Sequence, residues 1–263
     1  MIINSFIFGV TFDPDAQAFI TAAGITDNTQ KNAINTLVLD LKGFNIWTKM
    51  KAIYPMVGGT ATTHKFNLKN PLDTNTAFRL IFGGGWTHSS TGAKPNGLNG
   101  YAETYLVQSS EFANDNNIHL SYYSRTNISS NSVEIGCYDN TRACQILIRN
   151  SGVAPISTRT FQNNLTDVKY TETTSLGLFI GNRIGTNVKI FKNSVEQISV
   201  TNSANGRTTI SFWIGAQNYF GLNIPSPKEC AFSTIGEGLT DIEVANFYVT
   251  VQNFNTTLSR QVI

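Results

Sequence analysis

The chain has 263 residues and a formal net charge of +2, and only 14% of its residues are charged, against roughly 25% in a typical soluble domain. Neutral polar residues fill the gap, 29 Asn and 31 Thr. Scattered basic residues argue against a nucleic-acid footprint, and no apolar run approaches the ~20 residues of a membrane span. Asn favours turns and Thr favours strands, so the composition points to a mainly β protein with an uncharged polar surface.

Met1–Phe12 (MIINSFIFGVTF) is apolar and β-branched and reads as a strand. It lacks a basic n-region and a cleavage motif, so it does not read as a secretory leader. Asp13-Pro14 then starts a helix, with Asp as the cap and Pro in the first turn. Ala16, Phe19, Ile20 and Ala23 share one helical face, and Gly24 stops the helix. Asp27 with Gln30 makes a second capping pair. Ile34, Leu37, Val38 and Leu41 repeat the helical spacing up to Gly43. Two short amphipathic helices are not stable alone in water, so they must pack on the sheet, on a copy or on a partner.

From about residue 60 the period becomes two. Ile118, Leu120 and Tyr122 alternate with His119, Ser121 and Tyr123. Val133, Ile135 and Cys137 repeat the pattern, as do Cys144, Ile146 and Ile148, and Ile210, Phe212 and Ile214. Many short alternating strands predict a sandwich of two antiparallel sheets. Asn205-Gly206 is the strongest hairpin signal and Asn193-Ser194 a weaker one, because both central positions of such a turn need positive φ. His119 reads as a half-exposed sheet residue. At the end, Thr240 and Glu243 form a capping box, and Val244, Phe247, Val251, Phe254 and Leu258 form the apolar stripe of a last helix. The expected organisation is one unit. Residues 1–59 are an N-terminal strand and helical segment, 60–238 a sandwich, and 239–263 a helix packed on it.

No predicted strand carries the carboxylate pair of a glycosidase, since Glu103, Glu134 and Glu196 each stand alone. His64, His88 and His119 lie in no local nucleophile motif, so no catalytic residue is assigned. Cys137, Cys144 and Cys230 read as reduced, buried thiols, although Cys137 and Cys144 flank a hairpin and could pair. No metal-ligand spacing exists, and neither metal nor organic cofactor is expected.

One stretch stands out as a binding candidate. Gly83–Gly100 (GGGWTHSSTGAKPNGLNG) has six Gly in eighteen residues and reads as a long connection. Trp86 offers a stacking face, and His88, Asn96 and Asn99 offer polar contacts for a sugar. The competing reading is a structural loop with Trp86 plugging the sandwich end. Tyr219 and Phe220, in the turn-rich segment GAQNYFGLNIPSPK, are the second candidate, either an exposed contact surface or side chains tucked on the core.

VKIFKNSVEQISVTNSANGRTTISFWIGAQN (188–218) resembles the laminin-G-like, concanavalin A-like jelly-roll family. Lys192-Asn193-Ser194 fills the family's turn, with Ser194 where Gly is usual, and Ile214-Gly215-Ala216 ends the later strand. DAQAFITAAGITDNTQKNAINTLVLDLKG, WTKMKAIYPMVGGTATTHKFNLKNP, GGWTHSSTGAKPNGLNGYAET and FSTIGEGLTDIEVANFYVTVQNFNTTLSRQV resemble a module in structural proteins of tailed bacteriophages. The likeness is greatest to phages of Bacteroidetes, including the crAss-like group, and it covers residues 13–263. It implies a lectin-like jelly roll in a virion: a head fibre, tail fibre or capsid decoration. The implied partners are copies of itself, other virion proteins and a host-surface glycan, with no nucleic acid and no membrane. A stand-alone carbohydrate-binding module is the alternative, and a glycan-cleaving enzyme the third.

Overall fold

The structure, a computed structural model, describes residues 11–152, 158–164 and 168–262. The expected strand at 1–12 falls almost wholly outside these residues. Five helices lie within them: α1 (Pro14–Ala22), α2 (Asn28–Gly43), the one-turn α3 (Ala61–His64) and α4 (Gln108–Glu111), and α5 (Asp241–Thr257). Their boundaries follow from the caps. The Asp13 side chain accepts from the Asp15 N–H at 2.9 Å, and Asp27 accepts from Gln30 N–H at 2.8 Å. Thr240 and Glu243 form a reciprocal capping box on α5. Lys42 bridges back to Asp13 at 2.7 Å and Asp15 at 2.6 Å, tying α2 to the start of α1. Among the described residues no helix is long and apolar enough to cross a membrane.

The strands form two sheets. The eight-stranded sheet runs Val195–Thr201, Asn187–Lys192, Gly177–Ile184, Asn117–Ser124, Cys230–Gly236, Gly92–Pro95, Trp86–Ser89, and Met50–Tyr54 also pairs with Cys230–Gly236. The nine-stranded sheet runs Val168–Thr171, Thr158–Asn164, Ala143–Asn150, Ile135–Tyr138, Ser211–Ile214, Tyr101–Val107, Ile81–Gly83, with Gln217–Asn218 and Leu222–Asn223 attached. The chain is thus a mainly β sandwich of two sheets. Its first strand begins at Met50, earlier than the expected 60, because a strand buried along most of its length shows no alternation to read.

Among the described strands pairing is antiparallel with one short exception. Gly215, at φ +82°, reverses the chain after Ser211–Ile214, so Gln217–Asn218 runs parallel to Gly136–Cys137. A residue with a Cβ would be strained there and would meet the Trp86 ring at 2.7 Å. One of the two hairpin expectations needs correcting. Asn205-Gly206 joins strands of different sheets and closes no hairpin. Asn193 and Ser194, at φ +48° and +65°, form the turn between Asn187–Lys192 and Val195–Thr201. The Asn193 side chain accepts from Leu178 N–H at 2.9 Å, which holds this turn without Gly.

The layers stack as helices, eight-stranded sheet, nine-stranded sheet. One apolar core joins Phe19, Leu37, Leu41, Phe247 and Phe254 of the helices to Tyr123, Leu178, Ile180 and Phe232 of the eight-stranded sheet. A second joins Leu120, Tyr122, Phe179 and Ile235 to Ile135, Ile146, Phe212 and Ile214 of the other sheet. His119 is therefore fully buried, not half-exposed, because α5 covers its face of the sheet. Its Nδ1 meets the Glu237 carbonyl at 2.6 Å and its Nε2 meets Thr234 Oγ1 at 2.9 Å. The three cysteines are buried free thiols. Burial pushes the Cys137 thiol up to about 12.

A buried ion pair clasps the two sheets. Lys228 and Glu134 are both fully buried, with Nζ to Oε1 at 3.0 Å. Lys228 also donates to Ser130 Oγ at 2.6 Å and Ser132 Oγ at 3.0 Å. Glu134 accepts further from Ser132, Ser226 and the Ile148 N–H. Each charge is fully hydrogen-bonded, the condition under which such a pair survives its desolvation cost. Lys228→Met should destabilise the fold by about 3–5 kcal/mol in chemical denaturation, since it strands Glu134. The double variant Lys228→Met, Glu134→Leu should recover a large part of that loss. Equal losses in the single and double variants would show that the clasp is not a coupled pair.

Candidate functional site

The Gly83–Gly100 stretch is not an open connection. Trp86–Ser89 and Gly92–Pro95 pair as a hairpin, in register Trp86 with Pro95 and His88 with Ala93. The following turn is built by the two predicted amides. Asn96 Oδ1 accepts from the N–H groups of Leu98, Asn99 and Gly100 at 2.9, 3.0 and 3.1 Å. Asn96 Nδ2 donates to Asn99 Oδ1 at 2.8 Å, which also accepts from Gly85 N–H at 2.9 Å. Gly84 sits at φ +68°, and a Cβ there would lie 1.9 Å from the Asn99 carbonyl oxygen, so the turn closes only over Gly.

Trp86 is half-buried. Its indole N–H is shared between the carbonyls of Gly83 at 3.1 Å and Tyr101 at 3.0 Å. Phe82 packs edge-on at 5.1 Å, and the His88 ring stacks at 6.1 Å. The structure therefore brings Trp86 to His88 and Asn96 to Asn99, but most of their polar atoms are spent on the fold itself.

His88 meets a second histidine that the sequence did not link to it. The two Nδ1 atoms of His64 and His88 are 2.9 Å apart. Buried His64 also accepts from Gly59 N–H through Nε2 at 3.2 Å. Neutral His64 must then carry its proton on Nδ1 and donate it to His88, whose own proton sits on Nε2. Burial, helped by His88 and Arg260, pushes His64 down to about 3. Burial likewise lowers His88. The pair ties the Gly58-Gly59 turn to the hairpin.

Tyr219 and Phe220 stand in contrast. They cap the tight hairpin between Gln217–Asn218 and Leu222–Asn223, where Tyr219 N–H donates to the Gly221 carbonyl at 2.9 Å. Phe220 is 63% exposed and Tyr219 41%. Tyr219 stacks on Tyr138 at 5.2 Å and 11°, and its hydroxyl donates to Asn140 Oδ1 at 2.5 Å. Leu222 adds exposed apolar surface beside them. Below, Asn223 Nδ2 donates to Gln217 Oε1 at 2.7 Å, and Gln217 donates to Gln145. Tyr138 and Asn140 were not singled out from sequence. Tyr138 lies off the inward phase of Val133, Ile135 and Cys137, which assigns it to the outer face of its sheet.

The carboxylates weighed for catalysis all have structural partners. Glu134 holds Lys228. Glu103 accepts from Trp213 Nε1 at 2.5 Å and Tyr105 N–H at 2.7 Å. Glu196 pairs with Lys189 at 2.9 Å. No group of three or more His, Cys, Asp or Glu suited to a metal occurs among the described residues.

No protein-family profile and no curated protein sequence matches the chain. Solved structures share its fold. Domain 4 of AbnA, a GH43 extracellular arabinanase from Geobacillus stearothermophilus solved with arabinotriose, superposes with TM-score 0.53 and 15% identity. That match covers 76% of this chain and 98% of that domain. A mutant of Trypanosoma rangeli sialidase displaying trans-sialidase activity gives TM-score 0.55 at 9% identity, over 84% of this chain and 39% of that one. The sialidase in complex with sialic acid gives 0.51 at 10% identity, over 75% and 32%. The chain thus spans well under half of the sialidase. These likenesses show a shared β-sandwich fold.

The buried histidines set a pH dependence. His119 is pushed down to about 4 by burial, partly offset by its bond to the Glu237 carbonyl. A folded value below the unfolded one, about 6.5, means that the unfolded chain binds more protons in the interval. Stability is then full above about pH 6.5 and falls as pH drops towards 4, by about 2 kcal/mol per ring near pH 4.5. Denaturant titrations across this range should show the slope, and His64→Gln should flatten part of it. A flat profile in the parent protein would contradict the buried neutral state of both rings.

Proposed function

We propose that this protein is a non-enzymatic structural component of a bacteriophage particle, a head fibre, tail fibre or capsid decoration. In this reading its sandwich is a concanavalin A/laminin-G-like jelly roll that touches host-surface glycan. Three things support it: the resemblance of residues 13–263 to the phage module, the lectin-like sandwich, and the sugar-bound state of AbnA domain 4. One observation carries the glycan contact. Tyr219 and Phe220 project from a tight hairpin, and Tyr219 is braced by Tyr138 and Asn140. A rigid aromatic face stacks on the apolar face of a pyranose and loses little entropy on binding. The exposed Asn140 and half-buried Asn223 beside them supply amides for hydroxyls.

The Tyr219 hairpin thus ranks above Trp86, whose indole N–H and ring edge are already engaged. The second reading is a stand-alone carbohydrate-binding module. The match over nearly the whole of AbnA domain 4 favours it. Recovery of the protein with purified, intact particles at a fixed copy number separates the two.

Phe220→Ala and Tyr219→Ala should each weaken glycan binding by about 1–3 kcal/mol and leave the thermal midpoint unchanged, by analogy with aromatic stacking on other ligands. Trp86→Ala should do the reverse, destabilising the fold by about 3 kcal/mol. A glycan-array signal that survives both hairpin substitutions but vanishes with Trp86→Ala in a still-folded protein would return the site to the first candidate.

A further inference from the structure

The Asn205-Gly206 dipeptide closes no hairpin, and charged side chains surround it instead. It lies on the crossover from Val195–Thr201 of the eight-stranded sheet to Ser211–Ile214 of the nine-stranded sheet. The peptide bond between the two residues is gripped from both ends. The Gly206 N–H donates to Asp115 Oδ2 at 2.6 Å. The Asn205 carbonyl accepts from Arg142 Nε at 3.3 Å. Arg142 can approach only because residue 206 lacks a side chain, since a Cβ there would run into Nε. Arg142 Nη1 lies 3.7 Å from Asp139 Oδ2, which helps to hold the guanidinium in place.

These contacts bear on one reaction. The backbone nitrogen that follows an asparagine can attack the side-chain Cγ, and glycine hinders that attack least. The nitrogen is a poor nucleophile until its proton leaves. A carboxylate already hydrogen-bonded to that proton is placed to accept it as the new bond forms. A cationic donor on the adjoining carbonyl draws charge from the nitrogen and makes its N–H more acidic. Asn205 is exposed, and its side-chain amide has no hydrogen-bond partner among the described residues, so Cγ is free to swing onto the nitrogen.

The other two Asn-Gly pairs, Asn96-Gly97 and Asn99-Gly100, are built differently. Asn96 Oδ1 holds three N–H groups and its Nδ2 holds Asn99. Asn99 Oδ1 also holds the Gly85 N–H. Both side chains are fixed, and no carboxylate accepts from the Gly97 or Gly100 N–H among the described residues.

We propose that Asn205 is a self-modification site with Asp115 as its base. Gly206 N bonds to Asn205 Cγ and its proton passes to Asp115. The side-chain nitrogen then leaves as ammonia, carrying that proton. Water opens the resulting succinimide at either carbonyl to give aspartate or isoaspartate. Both products add a negative charge beside Asp115 and Arg142. The isoaspartyl product also lengthens by one methylene the main chain that links the two sheets. The reaction needs no cofactor and is independent of the glycan contact at Tyr219.

Peptide mapping by mass spectrometry, over a time course of the full folded chain at neutral pH, tests the proposal. A synthetic peptide of residues 201–210 runs in parallel. Asn205 should convert to aspartate and isoaspartate at least as fast as it does in the peptide, while Asn96 and Asn99 stay intact. Asp115→Asn keeps the side-chain shape and a hydrogen-bond acceptor but loses the base, so it should slow conversion by about tenfold with an unchanged thermal midpoint. Arg142→Met should also slow it. Three results would overturn the proposal: an Asn205 that converts more slowly in the folded chain than in the peptide, equal rates in the parent and Asp115→Asn, or conversion of Asn96 or Asn99 ahead of Asn205.

Discussion

The middle of the eight-stranded sheet is buried on both faces, and most of the molecule is organised by that constraint. Asn117–Ser124 and Cys230–Gly236 run down its middle, and Cys230–Gly236 is buried at every position. One face meets the nine-stranded sheet and the other must be kept from water by helices. α1, α2 and α5 each carry an apolar face that has to be buried, so sheet and helices each supply the surface the other lacks. An unpaired polar group under the helices would cost several kcal/mol, and most are paired, the buried Thr250 hydroxyl of α5 having no partner among the described residues. His119, Ser121 and Thr234 satisfy one another, with Ser121 Oγ 2.6 Å from Thr234 Oγ1. Asn182 exchanges two hydrogen bonds with the backbone of Leu239 at the entry to α5. Past the end of α5, fully buried Arg260 donates to the carbonyls of Met56, Pro55 and Ala231 and to Asn255. The C-terminal segment is thereby stitched to the sheet it covers.

Sealing one sheet leaves the rim and outer face of the other open to solvent. Three exposed aromatics, Tyr105, Tyr219 and Phe220, belong to the nine-stranded sheet or its hairpins, and Phe44 at the end of α2 is a fourth. The Lys228–Glu134 clasp lies between the sheets and holds this outer layer in register with the sealed one. The Trp86 indole, the Asn96–Asn99 turn and the His64–His88 contact fasten the sandwich end.

The helices were legible because local rules decide them. Asp13-Pro14, Asp27 and the Thr240–Glu243 box each cap a helix at the expected residue, and the apolar stripes are the buried faces. Strand positions were legible from alternation, but sheet membership was not. Alternation marks two faces, and it does not say whether the second face meets water or helices, which is why His119 was misplaced. Asn205-Gly206 carries the stronger turn chemistry, yet its flanking strands go to different sheets, a long-range choice that no dipeptide encodes. Asn193-Ser194 succeeds with weaker chemistry because the Asn193 side chain is anchored on the neighbouring strand. Of the candidate contacts, Tyr219 and Phe220 are exposed, but their brace, Tyr138 and Asn140, comes from 80 residues earlier by number and only the fold brings it there.

Backbone hydrogen exchange tests the two-sided burial most directly. Amides of residues 118–124 and 230–236 should exchange only through global unfolding, with a free energy equal to the denaturant-derived stability. Exchange of those amides through a smaller opening, while the nine-stranded sheet stays protected, would show that the helices do not seal the sheet and would contradict this architecture.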